Sequence, residues 1–106
     1  MKLELFTIKK ETLWSTVSAE LSDGRLTVSG QDLGGAAEIF GGEYEYAVSL
    51  DAENTRKLFE ALGCEDAAEE KKLLVLKDTF PGNRAVSALK KYCDENKITA
   101  AFWSRP

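Results

Sequence analysis

Three features of this sequence together predict an α+β fold: an antiparallel sheet of four to five strands with three helices on one face. Apolar and polar residues alternate on both sides of Asp23-Gly24 and again from Tyr44 to Leu50, which is the period of half-buried strands. From Asp51 onward the apolar residues return at helical spacing in three separate runs. Strands therefore come first and helices follow as a block, an order that segregates the helices to one side of an antiparallel sheet.

Residues 3 to 8, Leu-Glu-Leu-Phe-Thr-Ile, form the first strand, and the slip of apolar phase at Phe6 calls for a bulge or for two covered faces. Val17, Ala19 and Leu21 then alternate with Thr16, Ser18 and Glu20. After Asp23-Gly24, Leu26 and Val28 alternate with Arg25, Thr27 and Ser29. Asp-Gly suits a two-residue type I′ turn, whose central residues need positive φ. With Ser22 opposite Arg25, Leu21 faces Leu26, Ala19 faces Val28 and Val17 faces Gly30, so one side of the hairpin is core and the other is wet. Strands two to four then run as a meander.

Gly30 to Gly42 contains five of the eight glycines and reads as a loop crossing one sheet edge, with a short helical turn from Ala36 to Phe40. It matches a phosphate loop poorly. Gly-Lys-Ser/Thr is missing, a strand rather than a helix follows, and Asp32 and Glu38 repel phosphate. Beyond the Tyr44 to Leu50 strand, Asp51 caps a helix whose stripe is Ala52, Thr55, Phe59 and Leu62, with Leu58 beside it, and Gly63 ends it. Asp66 with Glu69 reads as the cap of a second helix carrying Leu73, Leu76 and Phe80, which stops before Pro81-Gly82. Asn83 reads as the cap of a third, with Val86, Leu89 and Cys93 buried and Ala85 and Tyr92 at their flanks. Ile98 to Ser104 is the closing strand.

At 106 residues the chain is read as a single domain, 1–106. Its 43% hydrophobic and 30% charged residues are globular values. No apolar run approaches the roughly 20 residues of a membrane-spanning helix, and charges interrupt the opening MKLELFTIKKE, so a cytoplasmic protein is expected. Cys64 and Cys93 are expected as reduced thiols. With no histidine and only two distant cysteines, no metal or other cofactor is expected.

Charge is distributed unevenly. Residues 1 to 70 carry a net charge of −9 and residues 71 to 106 a net charge of +5. Between Arg25 and Arg56 no Lys or Arg occurs, which leaves Asp32, Glu38, Glu43, Glu45, Asp51 and Glu53 without a local counter-charge. Such an interval steers a basic partner, unless the basic C-terminal helices fold beside it and neutralise it. The third helix, with Arg84, Lys90, Lys91 and Lys97, supports an alternative reading of nucleic-acid or phosphate binding, but Asp94 and Glu95 interrupt its patch.

Catalysis has little to build on. Glu43 and Glu45 stand at i and i+2, about 7 Å apart along a strand, yet no base or activated nucleophile accompanies them. Two tryptophans favour binding instead. Trp14 falls in the wet phase of the hairpin, where Leu33, Ile39 and Phe40 of the glycine-rich segment, Trp103, or a second copy of the chain would cover it. Trp103 shares the phase of Thr99 and Ala101 rather than that of Ile98, Ala100 and Phe102. The reading is a non-enzymatic protein-interaction module, partnered by another protein or by itself, with Trp14, Asp32, Glu38, Glu43, Glu45 and Trp103 as its binding residues.

Four strings, S-G-Q-D-L-G at Ser29 to Gly34, G-E-Y-E-Y at Gly42 to Tyr46, L-D-A-E-N-T at Leu50 to Thr55 and Y-C-D-E-N-K-I at Tyr92 to Ile98, resemble a family of small uncharacterised bacterial proteins. The resemblance spans most of the chain and implies a free-standing bacterial domain, with no activity, cofactor or catalytic residue to carry over.

Overall fold

The Asp23-Gly24 turn sets the frame of the sheet. In the computed structural model, which describes residues 1–10, 13–34 and 43–105, Asp23 and Gly24 both take positive φ, 52° and 76°, as the type I′ turn requires. They join β2 (Leu13–Ser22) to β3 (Arg25–Gly34) with Ser22 opposite Arg25 and Leu21 opposite Leu26, the register expected from the alternation. β1 (Lys2–Lys9) pairs with β2, and β4 (Glu43–Leu50) pairs with β3. β5 (Ala101–Arg105) closes the sheet against β4, so spatial order equals chain order and every pair is antiparallel.

β1 shows why its apolar phase slips. Its register against β2 shifts between Glu4 and Phe6, a bulge that leaves Leu5 buried and Phe6 half-buried. β3 runs further than expected, through Gly30 to Gly34. Gly30 is part of the ladder because the ring of Tyr46, its β4 partner, lies over it. The short helical turn expected from Ala36 to Phe40 lies outside the described residues.

α1 (Ala52–Ala61) begins where the Asp51 carboxylate accepts from the Asn54 N–H at 2.9 Å. It ends in paired bonds, Cys64 N–H to Phe59 O and Gly63 N–H to Glu60 O, with Gly63 at φ 78°. α2 (Glu69–Thr79) and α3 (Ala85–Glu95) depart from the caps read in the sequence. Ala68 and Arg84 occupy the cap positions, neither with a side-chain bond, and Asp66 and Asn83 precede them. What holds these helices is their apolar stripes. Leu73, Leu76 and Phe80 of α2 and Val86, Leu89 and Cys93 of α3 join Leu58 and Phe59 of α1 in one core with Val17, Ala19, Leu21, Leu26, Val28, Val48 and Leu50 of the sheet.

Two α1 side chains splice helix to sheet. Thr55 accepts from the Leu26 N–H at 3.1 Å and donates to the Leu50 carbonyl at 3.2 Å, completing the ladder where β3 and β4 part. Asn54 donates to Asp51 and accepts from the Thr99 N–H at 2.9 Å, fixing the approach to β5. The strand proper therefore starts at Ala101, later than Ile98, whose side chain is in the core. No helix among the described residues is long and apolar enough to cross a membrane.

Candidate functional site

The face of the sheet away from the helices, open among the described residues, is built from the residues that alternate with the core. Thr16, Ser18, Thr27, Ser29, Gln31 and Ala47 pave a shallow depression rimmed by Lys2, Glu45 and Trp103. The short hydroxyl side chains leave this floor flat. Trp103 stands on it 44% exposed, while its cross-strand partner Ala47 is fully buried between Ser29 and Trp103.

Arg105 links two of the expected binding residues. Positions 103 and 105 of a strand share a face, and the register sets Arg105 opposite Glu45. The guanidinium donates from Nε to Glu45 at 2.8 Å, its second contact is also 2.8 Å, and its carbon lies 5.5 Å from the centre of the Trp103 ring. Glu45, Arg105 and Trp103 thus form one cluster, and the acidic interval is met here by a cation from the other end of the chain. Both partners of the pair are substantially exposed, so the pair orients side chains more than it stabilises the fold. The sequence signal for Arg105 was its i+2 spacing from Trp103.

The other expected residues are not gathered in this cluster. Trp14 lies on the same open face, half-buried beside its cross-strand partner Leu33, but three strands and two rungs from Trp103. Asp32 belongs to the opposite face, where it accepts from the Ser15 hydroxyl at 2.5 Å and sits in the rung of Tyr44. The period-two phase explains this, because Asp32 shares parity with Leu26 and Val28. Glu38 and the side chain of Glu43 lie outside the described residues.

The Asp32 face also carries a polar group that composition alone did not reveal. Tyr46 packs over Gly30 with its ring centre 5.5 Å from that of Tyr44. Burial, then the Asp32 and Tyr44 charges, push the Tyr46 hydroxyl up to about 12, so it stays protonated at neutral pH. Ser15 and Asp32 form a hydroxyl–carboxylate pair on this face. Among the described residues, no three His, Cys, Asp or Glu side chains are grouped to hold a metal. Cys64 and Cys93 are free and buried, and burial raises both thiols, Cys93 to about 11.

On α3, Lys90 is engaged by Asp94 at 2.6 Å, which removes one cation from the basic patch. β5 is different in kind. It is the last strand of the sheet, all five of its residues are exposed, and Phe102 is 49% exposed next to Trp103. Phe102 has the phase of the buried Ile98, yet at this edge of the sheet that phase is exposed. The chain matches no family model, no curated protein and no solved structure.

Proposed function

We propose that this is a non-catalytic protein-binding domain whose binding element is β5, which takes an extended segment as a sixth strand. The supporting observation is that Phe102 and Trp103 stand exposed side by side on a terminal strand with no partner on its outer side among the described residues. A strand edge offers unpaired main-chain groups for affinity, and neighbouring side chains on its two faces supply specificity. Glu45 and Arg105 steady Trp103 from the open face. The domain works in the cytosol, where Cys64 and Cys93 persist as thiols.

Selection of random peptides on the immobilised protein tests this reading. Extended peptides rich in β-branched and aromatic residues are expected, and their binding is lost with Trp103→Lys and with Ser104→Pro. Peptides indifferent to both substitutions would exclude β5. Retention of nucleic acid that falls steeply with salt and disappears on reversing Arg84 and Lys91 would instead favour the basic helix.

A further inference from the structure

The hydrogen-bond phase of the sheet identifies which groups of β5 face outward. Ser22 and Arg25 flank a two-residue turn and exchange both main-chain bonds, so Leu26, Val28, Gly30 and Asp32 turn theirs toward β4. The Leu26 N–H agrees, since it points to that side and is taken by Thr55. Glu45, Ala47 and Ser49 then turn toward β5 and bind Arg105, Trp103 and Ala101. Phe102 and Ser104 are left with their N–H and C=O directed away from the sheet.

The two sheet edges are treated differently. β1 carries Lys2, Glu4 and Lys9 and is bent by its bulge, features that discourage pairing. β5, Ala-Phe-Trp-Ser-Arg, has no bulge in its register, no lysine and two large apolar side chains. An edge of that kind invites pairing by another strand. Resting on the strand-addition reading of β5, we infer that its occupant is β5 of a second copy, paired antiparallel about a two-fold axis through Trp103.

The sequence of the strand is self-complementary in this arrangement. Phe102 lies opposite the partner's Ser104, and Ser104 opposite the partner's Phe102, so the outward-directed groups meet and exchange both bonds in each pair. Trp103 meets the partner's Trp103 on the open face. Arg105 comes opposite the partner's Ala101, so no charge faces its like and the arginine stem has a small residue to lie over. An axis through Phe102 would instead need residues 99 and 100 as strand, but Thr99 gives its N–H to Asn54 and pairing begins only at Ala101. Pairing also stops at two copies. The joined sheet ends on both sides in a blunted β1, which makes the contact isologous and closed.

Sedimentation equilibrium and site-specific cross-linking of the full chain test the inference. The wild-type mass is expected to approach twice 11.7 kDa as concentration rises. Ser104→Pro is expected to hold the mass at one chain without lowering the melting temperature, because the lost N–H points away from β4. Under mild oxidation Trp103→Cys is expected to give a covalent dimer, since a directly opposed non-hydrogen-bonded pair brings the Cα atoms to about 4.5 Å, within disulfide reach. Phe102→Cys should give none. A single-chain mass at every concentration, a dimer that Ser104→Pro leaves intact, or cross-linking at 102 in place of 103 would each overturn the two-fold pairing. The two readings fail separately. A monomer that still binds selected peptides through β5 removes only the second copy, whereas peptides unmoved by Ser104→Pro remove strand addition itself.

Discussion

At the Asp23-Gly24 end of the sheet, the rungs Leu21, Leu26, Leu50 and Ala19, Val28, Val48 are sealed by three helices. Further along the same face the rungs read Val17, Gly30, Tyr46 and then Ser15, Asp32, Tyr44, and the cover over Gly30 is a side chain of the sheet itself. One ladder is thus finished in two ways. Helices seal by volume, and they need only apolar residues of suitable size in the right phase. A tyrosine laid over a glycine seals by shape, and it depends on one missing Cβ.

The largest effect expected from breaking the helix-sealed end is Phe59→Ala, which removes a fully buried ring from α1 and should cost about 3–5 kcal/mol in denaturant unfolding. A loss below about 1 kcal/mol would mean that the helices contribute little to this end. Next comes Thr55→Val, which keeps shape but strands the Leu26 N–H and the Leu50 carbonyl. It should cost about 1–3 kcal/mol, with faster amide exchange at Leu26.

At the tyrosine-sealed end, a Cβ on Gly30 would collide with the Tyr46 ring. Gly30→Ala should therefore cost about 1–3 kcal/mol in the wild-type background, and much less when Tyr46 is already Ala. Equal costs in both backgrounds would show that the ring does not depend on that glycine. The mildest probe is alkaline titration. The folded Tyr46 hydroxyl is raised to about 12, above its ordinary value of 10.0, so the unfolded chain loses its proton first. The stability this gives is fully present below pH 10 and lost as pH rises toward 12, with the Tyr46 share of the tyrosinate absorbance appearing late. Early, reversible ionisation of every tyrosine in the folded state would contradict the cover.

The same contrast explains what could be read from the sequence. Leu26, Val28, Leu73 and Leu89 announced their burial by period, because helix-on-sheet packing asks only for phase and hydrophobicity. Asp51 and Gly63 were legible because capping and C-terminal termination use local chemistry. Asp66 and Asn83 misled, since α2 and α3 are held by tertiary contacts and begin without side-chain caps. Gly30 read as loop because a glycine serving a ring across the sheet has the same letter as one serving a turn. At the site, parity keeps Asp32 with Leu26 and Val28, while Trp103 and Glu45 come onto one face only through the β4–β5 register. Arg105 closes on Glu45 from 60 positions away, and only the β4–β5 register reveals that pairing.

A meander sets a timetable for assembly. β1 to β4 each pair with a chain neighbour, so they can zip together through short closures. β5 must return across roughly fifty residues and three helices before it meets Ser49, and loop closure makes that the costliest ring in the sheet to shut. Its docking waits on α1, because Asn54 holds Thr99 at the threshold. β5 should then be the last strand to gain amide protection during refolding. Until it arrives, the exposed flank of the growing sheet is β4, with Ala47, Val48 and Leu50. Newly made chains would meet one another there by exchanging whole closing strands, a hazard that rises with concentration and falls once α1 has formed.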